Sequence, residues 1–266
     1  MITSKDNEQI KHIKSLFTKK YRDEFKEYIV EGIKMAREAL EYAEVSMIAV
    51  SDIFEAKDEF MKISKDKGIS LIEVSDKLFR SICDTETPQG ILCVVKKEDT
   101  TSFNSFILNT PNNNTIFVLD NIQDPGNLGT IIRTLDSAGI DKLVLSQNTV
   151  DEYNPKVVRS TMGAIFRLKI YRTKTELCET LLSLKDEGYS IVVTSLDTDN
   201  DYYSLDFSKK IAVVIGNESQ GVSKEVLDIA DIMVKIPMIG KTESLNASVA
   251  TSIIAYEKVR QSLTKD

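Results

Sequence analysis

The stretch TIFVLDNIQDPGNLGTIIRTLDSAG, residues 115–139, decides the fold class. A short apolar run over 115–120 reads as a strand, a turn follows, and a helix opens around Asn127-Leu128-Gly129. Gly126 and Gly129 permit close backbone approach, and the helix N-terminus can receive a negative group.

Outward from this unit the same alternation repeats. Beyond it, KLVLS (142–146), RLKIY (167–171), SIVVTSL (190–196), IAVVIG (211–216) and IMVKIP (232–237) read as strands. Helices near 127–138, 155–162, 174–187, 223–229 and 245–262 separate them. Continuously apolar strands are those of a mostly parallel sheet covered on both faces. Ahead of it, strands are read at 27–31, 45–50, 69–74 and 90–95, with helices near 7–20, 32–42, 53–67 and 75–82. The two sets part near 97–114, where charges give way to a Pro-Asn cluster that favours turns. The expectation is α/β throughout: a smaller domain over 1–97, a linker over 98–114 and a parallel-sheet domain over 115–266.

Composition narrows the function classes. The 266 residues are 42% apolar and 28% charged, a globular balance that argues against wholesale disorder. Net charge is −7, so a generally basic nucleic-acid coat is excluded and any such contact must rest on local patches. Cys83, Cys93 and Cys178 are widely spaced with no C-x-x-C, which supports neither a disulfide framework nor a structural zinc site. No metal site is expected. The single histidine, His12, leaves a Ser-His-Asp triad without support unless His12 itself takes part. The polar start MITSKDNEQIKHIK has no apolar centre, and no run of about eighteen apolar residues exists, so the expectation is a cytoplasmic protein with no membrane span.

Charge placement points further. Residues 11–22 hold five cations (Lys11, Lys14, Lys19, Lys20, Arg22) and no acid. Residues 153–175 hold six, among them Lys156, Arg159 and Arg167, again with no acid. In an acidic chain such stretches suggest phosphate contacts, and equally read as solvated faces with paired neighbours.

Three glycine- and asparagine-bearing turns follow strands: the one after 120, VVIGNESQGVS (213–223) and IPMIGKTESLNASVATSIIAYE (236–257). Each has a plain alternative: Asn127 and Ser244 read as helix caps, and Glu218 as a solvated turn acid. Three such turns at successive strand ends outweigh those alternatives, because open parallel sheets bind ligands there. Sharper motifs fail. Gly240-Lys241-Thr242 lacks the P-loop glycine five residues earlier, where Lys235 stands, and no G-x-G-x-x-G follows a strand. Met162 and Met238 read first as packing residues.

Together the turns resemble the three signature motifs of the SpoU (TrmH-type) RNA 2′-O-ribose methyltransferases of the SPOUT superfamily, through DPGNLGTIIR (124–133), IGNESQGVS (215–223) and IPMIGKTESLNASVA (236–250). The intervening NPKVVRSTMGAIFRL (154–168) is similar to the same family, and YIVEGIKMAREAL (28–40) with TPQGILCVV (87–95) resembles its N-terminal substrate-binding module. The resemblance implies a deep trefoil knot near the C-terminus, an exception to the rule against threaded chains. It also implies a homodimer with active sites near the subunit interface, and S-adenosylmethionine as cofactor. Thr194, Leu196, Gly216, Asn217, Ile236, Met238 and Leu245 would hold that cofactor. Asn127 and Arg133 would be the catalytic pair of the first motif, with Glu218, Ser244 and Asn246 beside the transfer site. The implied activity is RNA ribose 2′-O-methylation, on large-subunit ribosomal RNA. A tRNA target and a non-catalytic RNA-binding protein retaining the fold stay open.

A ribose hydroxyl is a very weak acid, and guanidinium is always protonated. Arg133 is therefore expected to clamp a phosphate and stabilise charge on the 2′-oxygen, acting as a base only with a strongly depressed pKa.

Overall fold

The computed structural model describes residues 1–98, 103–108 and 114–264. Two compact units divide the chain: Met1–Asp99 with Asp151–Phe166, and Thr100–Val150 with Arg167–Asp266.

The first unit holds four strands, β1 (Glu27–Glu31), β2 (Val45–Ser51), β3 (Ser70–Val74) and β4 (Ile91–Lys96), ordered β1-β4-β2-β3. β4 is antiparallel to both neighbours, and only β2 and β3 run parallel. One face packs on Ile10 and Ile13 from the N-terminal helix Glu8–Ser15, on Leu16 directly after it, and on Leu78, Phe79 and Ile82. The helix expected over 7–20 breaks at Leu16–Thr18 and restarts as Lys19–Phe25.

The second unit is a sheet of six strands, β5 (Thr115–Leu119), β6 (Lys142–Leu145), β7 (Lys169–Arg172), β8 (Ser190–Thr194), β9 (Ile211–Ile215) and β10 (Ile232–Val234). Their order is β10-β8-β9-β5-β6-β7, and every pairing is parallel. β5 and β9 are buried along their whole length, which is why their sequences are apolar without alternation. The chain builds outward from β5 through β6 to β7, then continues on the other side of β5. The order reverses between β5 and β9, the kind of place where such sheets bind ligands.

The helix Pro125–Ser137 follows β5. Asp124 caps it by accepting the amide of Asn127, Pro125 fits its first turn, and Leu128, Ile131, Ile132 and Leu135 are buried. It packs beside the C-terminal helix Ala247–Leu263, with Thr134 Oγ1 3.3 Å from Ser252 Oγ and the Tyr256 hydroxyl 3.3 Å from Ser137 Oγ.

The segment 151–166, read from sequence as part of the C-terminal domain, packs with the first unit instead. Its Asp151 takes two hydrogen bonds from Arg22, at 2.6 and 3.1 Å, and its Tyr153 ring lies 4.5 Å from Tyr28. Gly163, at φ +100°, backs onto Glu38, whose Oε2 would lie 2.9 Å from any added Cβ. Within the expected linker over 98–114, a helix runs Phe103–Leu108, while 99–102 and 109–113 lie outside the described residues. That helix is anchored by a fully buried lysine, Lys142, whose Nζ donates to the Ile107 carbonyl at 2.9 Å.

Candidate active site

Three parallel strands end at one cavity. Thr194, Ile215 and Val234, the last residues of β8, β9 and β10, all line it. Its volume is about 460 Å³, within the range of small-molecule sites. Thr194, Leu196, Gly216, Asn217, Ile236, Met238 and Leu245 line it together, so the structure brings into one place every residue expected to hold the cofactor.

The middle wall is the loop after β9. Asn217 and Gly221 exchange both backbone hydrogen bonds at 2.9 Å, closing residues 217–221 into a tight turn. The Asn217 side chain holds that turn from inside: Oδ1 accepts from the Ser219 and Gln220 amides, and Nδ2 donates to the Asn121 carbonyl at 2.7 Å. Gly216 lies so close to the turn's exit that an added Cβ would fall 2.2 Å from the Gly221 carbonyl carbon and the Val222 nitrogen. Only glycine fits there. Asp120, buried at the end of β5, accepts the Ser223 amide at 2.8 Å and ties the turn's far end down.

Beside the cavity stands a line of polar side chains. Asn127 Nδ2 donates to Glu218 Oε1 at 2.8 Å, and Asn246 Nδ2 donates to Asn127 Oδ1 at 2.9 Å. Asn246 caps the C-terminal helix, its Oδ1 accepting the Ser248 amide at 2.9 Å and the Ser248 hydroxyl at 2.6 Å. The capping alternatives for Asn127 and Ser244 are thereby corrected: Asp124 and Asn246 are the caps. Ser244 and Glu218 line the cavity, whereas Asn127, Asn246 and Arg133 stand outside its lining. Arg133 is exposed and makes no ion pair or side-chain hydrogen bond among the described residues.

Sequence reasoning missed Asp120, Asn121 and Ser248, which hold these loops rather than face the cavity. It also missed the acids Asp197 and Glu243, which line it with Glu218. Against these three carboxylates stands one lining cation, Lys235, itself 3.6 Å from Asp199. The signal for Asp120 and Asn121 was present, a polar pair at a strand's carboxyl end, but carried no spacing to a partner about a hundred residues away.

The expected RNA contacts fare unevenly. Arg22 is 3% exposed, and its guanidinium is spent on Asp151 and on the Leu16 carbonyl at 2.8 Å, so it is a buried structural residue and not a phosphate contact. Lys11 pairs with Asp6, Lys19 with Asp23, Arg159 with Asp84 and Arg167 with Asp136. Lys14, Lys20 and Lys156 carry no ion pair among the described residues. Among those residues no group of three or more His, Cys, Asp or Glu could hold a metal ion, and no helix is long and apolar enough to cross a membrane.

Residues 114–256, more than half the chain, match the SpoU rRNA Methylase family. This chain belongs to the SpoU rRNA methylase family. Residues 7–93 of the methylase match the MRM3-like substrate binding domain. Over 257 residues, 96% of this chain and 97% of the relative, it is 33% identical to the 23S rRNA (guanosine(2553)-2′-O)-methyltransferase RlmP of Bacillus subtilis (strain 168). Its fold matches the AdoMet-bound rRNA methyltransferase from Sinorhizobium meliloti at a TM-score of 0.86 with 30% identity, covering 98% of this methylase and 97% of that chain. The SpoU methyltransferase AviRb from Streptomyces viridochromogenes, in complex with AdoMet, also matches at 0.86, with 26% identity over 98% and 100% of the two chains.

Proposed function

We propose that this methylase transfers a methyl group from S-adenosylmethionine to a ribose 2′-hydroxyl of large-subunit ribosomal RNA. The observation that carries the reading is the cavity at the ends of β8, β9 and β10, lined by all seven residues expected to hold the donor. The fit is chemical as well as spatial. Leu196, Ile236, Met238 and Leu245 offer apolar surface to a nucleoside, and Asp197, Glu218 and Glu243 set a negative field suited to a sulfonium. Bound there, the cofactor supplies an activated methyl on a positively charged sulfur.

The chain's own residues do the rest by positioning. Arg133, exposed and unpaired, clamps a phosphate of the target nucleotide and stabilises negative charge on the 2′-oxygen. It cannot take the hydroxyl proton while it stays protonated. Glu218 is a carboxylate at the cavity that can, with one oxygen held by Asn127. Asn246 and Ser244 orient the loop over the cavity. The hydrogen-bonded line Asn246–Asn127–Glu218 beside the cavity counts against a non-catalytic RNA-binding protein.

We further infer a homodimer. Val249, Tyr256 and Leu263, seven residues apart, are exposed along one stripe of the C-terminal helix, a surface that burial against a second copy would satisfy. The knot belongs to the same proposal: the loops after β8, β9 and β10 all line one cavity, a placement that supports a threaded chain, and stretching the protein from its ends should leave a residual knot.

The deciding experiment incubates the purified protein with methyl-labelled S-adenosylmethionine and either ribosomal or transfer RNA, then maps alkali-resistant linkages. Label at a ribose of the large-subunit RNA is expected. Label in tRNA alone moves the target to the alternative, and no label in either sinks the activity.

A further inference from the structure

The basic N-terminal stretch carries more than charge. On the helix Lys19–Phe25, Tyr21 and Phe25 are 37% and 43% exposed, and their rings stack with centroids 6.1 Å apart and planes 13° from parallel. The His12 ring meets Phe25 edge-on at 4.8 Å, and Lys20 Nζ lies 5.5 Å from the Tyr21 centroid. Two large aromatics one helical turn apart are ordinarily turned inward, where they bury most area.

The rings are held in place from beneath. Arg22, between them, is buried and fastened to Asp151 and to the Leu16 carbonyl. His12 Nε2 is 2.7 Å from Glu27 Oε2, and Lys26 turns the chain sharply at φ 56° directly after Phe25. A surface ordered before binding loses less entropy when a ligand arrives. The surrounding charge is positive. Asp23 is neutralised by Lys19 and Lys97, each at 2.6 Å, which leaves Glu24 as the helix's acid without an ion pair. Lys14, Lys20 and Lys26 carry no ion pair among the described residues.

We propose that Tyr21 and Phe25 form a stacking platform for an unpaired RNA base, with Lys14, Lys20 and Lys26 taking the flanking phosphates. Aromatic faces bind splayed-out bases irrespective of sequence, and cations beside them hold the backbone. A duplex keeps its bases stacked and gains nothing from the rings. The platform thus selects an unpaired segment, deepening the proposed RNA activity, on which it rests.

The chain contains no tryptophan, so Phe25→Trp in the full-length protein gives a single reporter. A short unstructured RNA strand is expected to quench its emission. Tyr21→Ala with Phe25→Ala should weaken binding of that strand about tenfold, in the range of a lost base stack, and leave the affinity for the same strand in a duplex unchanged. Equal loss for both RNAs, no loss for either, or an indole indifferent to bound strand overturns the platform. Circular dichroism of each variant shows that it is folded. Calorimetry with S-adenosylmethionine on the same samples separates the outcomes: failure of the wild type to bind it refutes the proposed activity, whereas intact binding with unaltered RNA affinity refutes only the platform.

Discussion

Asn127 donates its side-chain amide to Glu218 across ninety-one residues of sequence, and the direction of that bond is dictated from elsewhere. A backbone N–H can only donate, so the Ser248 amide fixes which end of Asn246 is oxygen. Asn246 must then present nitrogen to Asn127, and Asn127 must present nitrogen to Glu218. The N-cap of one helix therefore orients a carboxylate on a loop two residues further along the line.

Asn246→Asp tests that polarity. Aspartate caps as well as asparagine, so the helix survives. Its second oxygen, however, meets Asn127 Oδ1, and turning Asn127 to answer it sets oxygen against oxygen at Glu218. Both bonds lie at the surface, where water takes up part of the loss, so the expected cost is about 0.5–1 kcal/mol, the net worth of an ordinary hydrogen bond. Adding Glu218→Gln should restore stability, because glutamine can donate to Asn127 and run the line in reverse. Thermal unfolding and cofactor calorimetry read this without requiring turnover. A double variant no better than Asn246→Asp alone refutes it.

Gly216→Ala should damage the cofactor site specifically. The new methyl meets backbone atoms at 2.2 Å, and backbone in a turn closed by two hydrogen bonds has no rotamer to yield. Overpacking of this kind costs about 1–3 kcal/mol, which predicts a loss of S-adenosylmethionine affinity of roughly tenfold to a hundredfold. Calorimetry measures it, and an affinity within twofold of wild type contradicts the geometry.

The sheet was legible because β5 and β9 are buried on both faces and so apolar at every position. The cavity was legible because its walls are short glycine- and asparagine-bearing turns whose sequences match a known family's motifs. What stayed hidden depends on distant partners. Arg22 reads as one more cation in a basic run until Asp151 comes to meet it. The segment 151–166 carries family-like sequence continuous with the C-terminal domain, yet packs with the N-terminal unit, which no local pattern records. Ser244 reads as the cap of the last helix, and only the path of the chain after residue 244 gives that role to Asn246.

Arg133→Lys separates a clamp from a point charge. Lysine keeps the positive charge but loses the planar fork that grips phosphate through two bonds. Turnover should fall about tenfold to a thousandfold, the scale of one lost transition-state donor, with cofactor affinity unchanged. A pH–rate profile adds the second readout. A profile whose acidic limb, the one set by a base that must lose its proton, moves with the substitution would make residue 133 the proton acceptor, and near-normal turnover would remove the clamp.

Acid should act on the first unit through Asp23. Burial alone would raise its carboxyl, but hydrogen bonds from Lys19 and Lys97 outweigh that and bring it from 3.8 to about 2. Because the folded value is the lower one, Asp23 contributes stability above the unfolded value and loses it as pH falls from about 4 toward 2. The side chain is substantially exposed, so the contribution stays below about 1 kcal/mol. Asp23→Asn should lower the stability of this unit by a constant amount above pH 5 and match the wild type near pH 2. A gap that widens on acidification has the wrong sign and overturns the assignment.

Arg22→Ala should destabilise the first unit by about 3–5 kcal/mol, since it strands the largely buried Asp151 carboxylate without its cation. Removing both partners should cost less than the sum of the single losses, because Arg22→Ala with Asp151→Ala leaves no charge unpaired. Chemical denaturation followed in the full chain reads the coupling, and Lys20→Gln serves as comparison, expected to weaken RNA binding while leaving stability within about 0.5 kcal/mol of wild type. Should Arg22→Ala instead behave like Lys20→Gln, the buried pair holds nothing together, and the guanidinium must be returned to the RNA-facing surface.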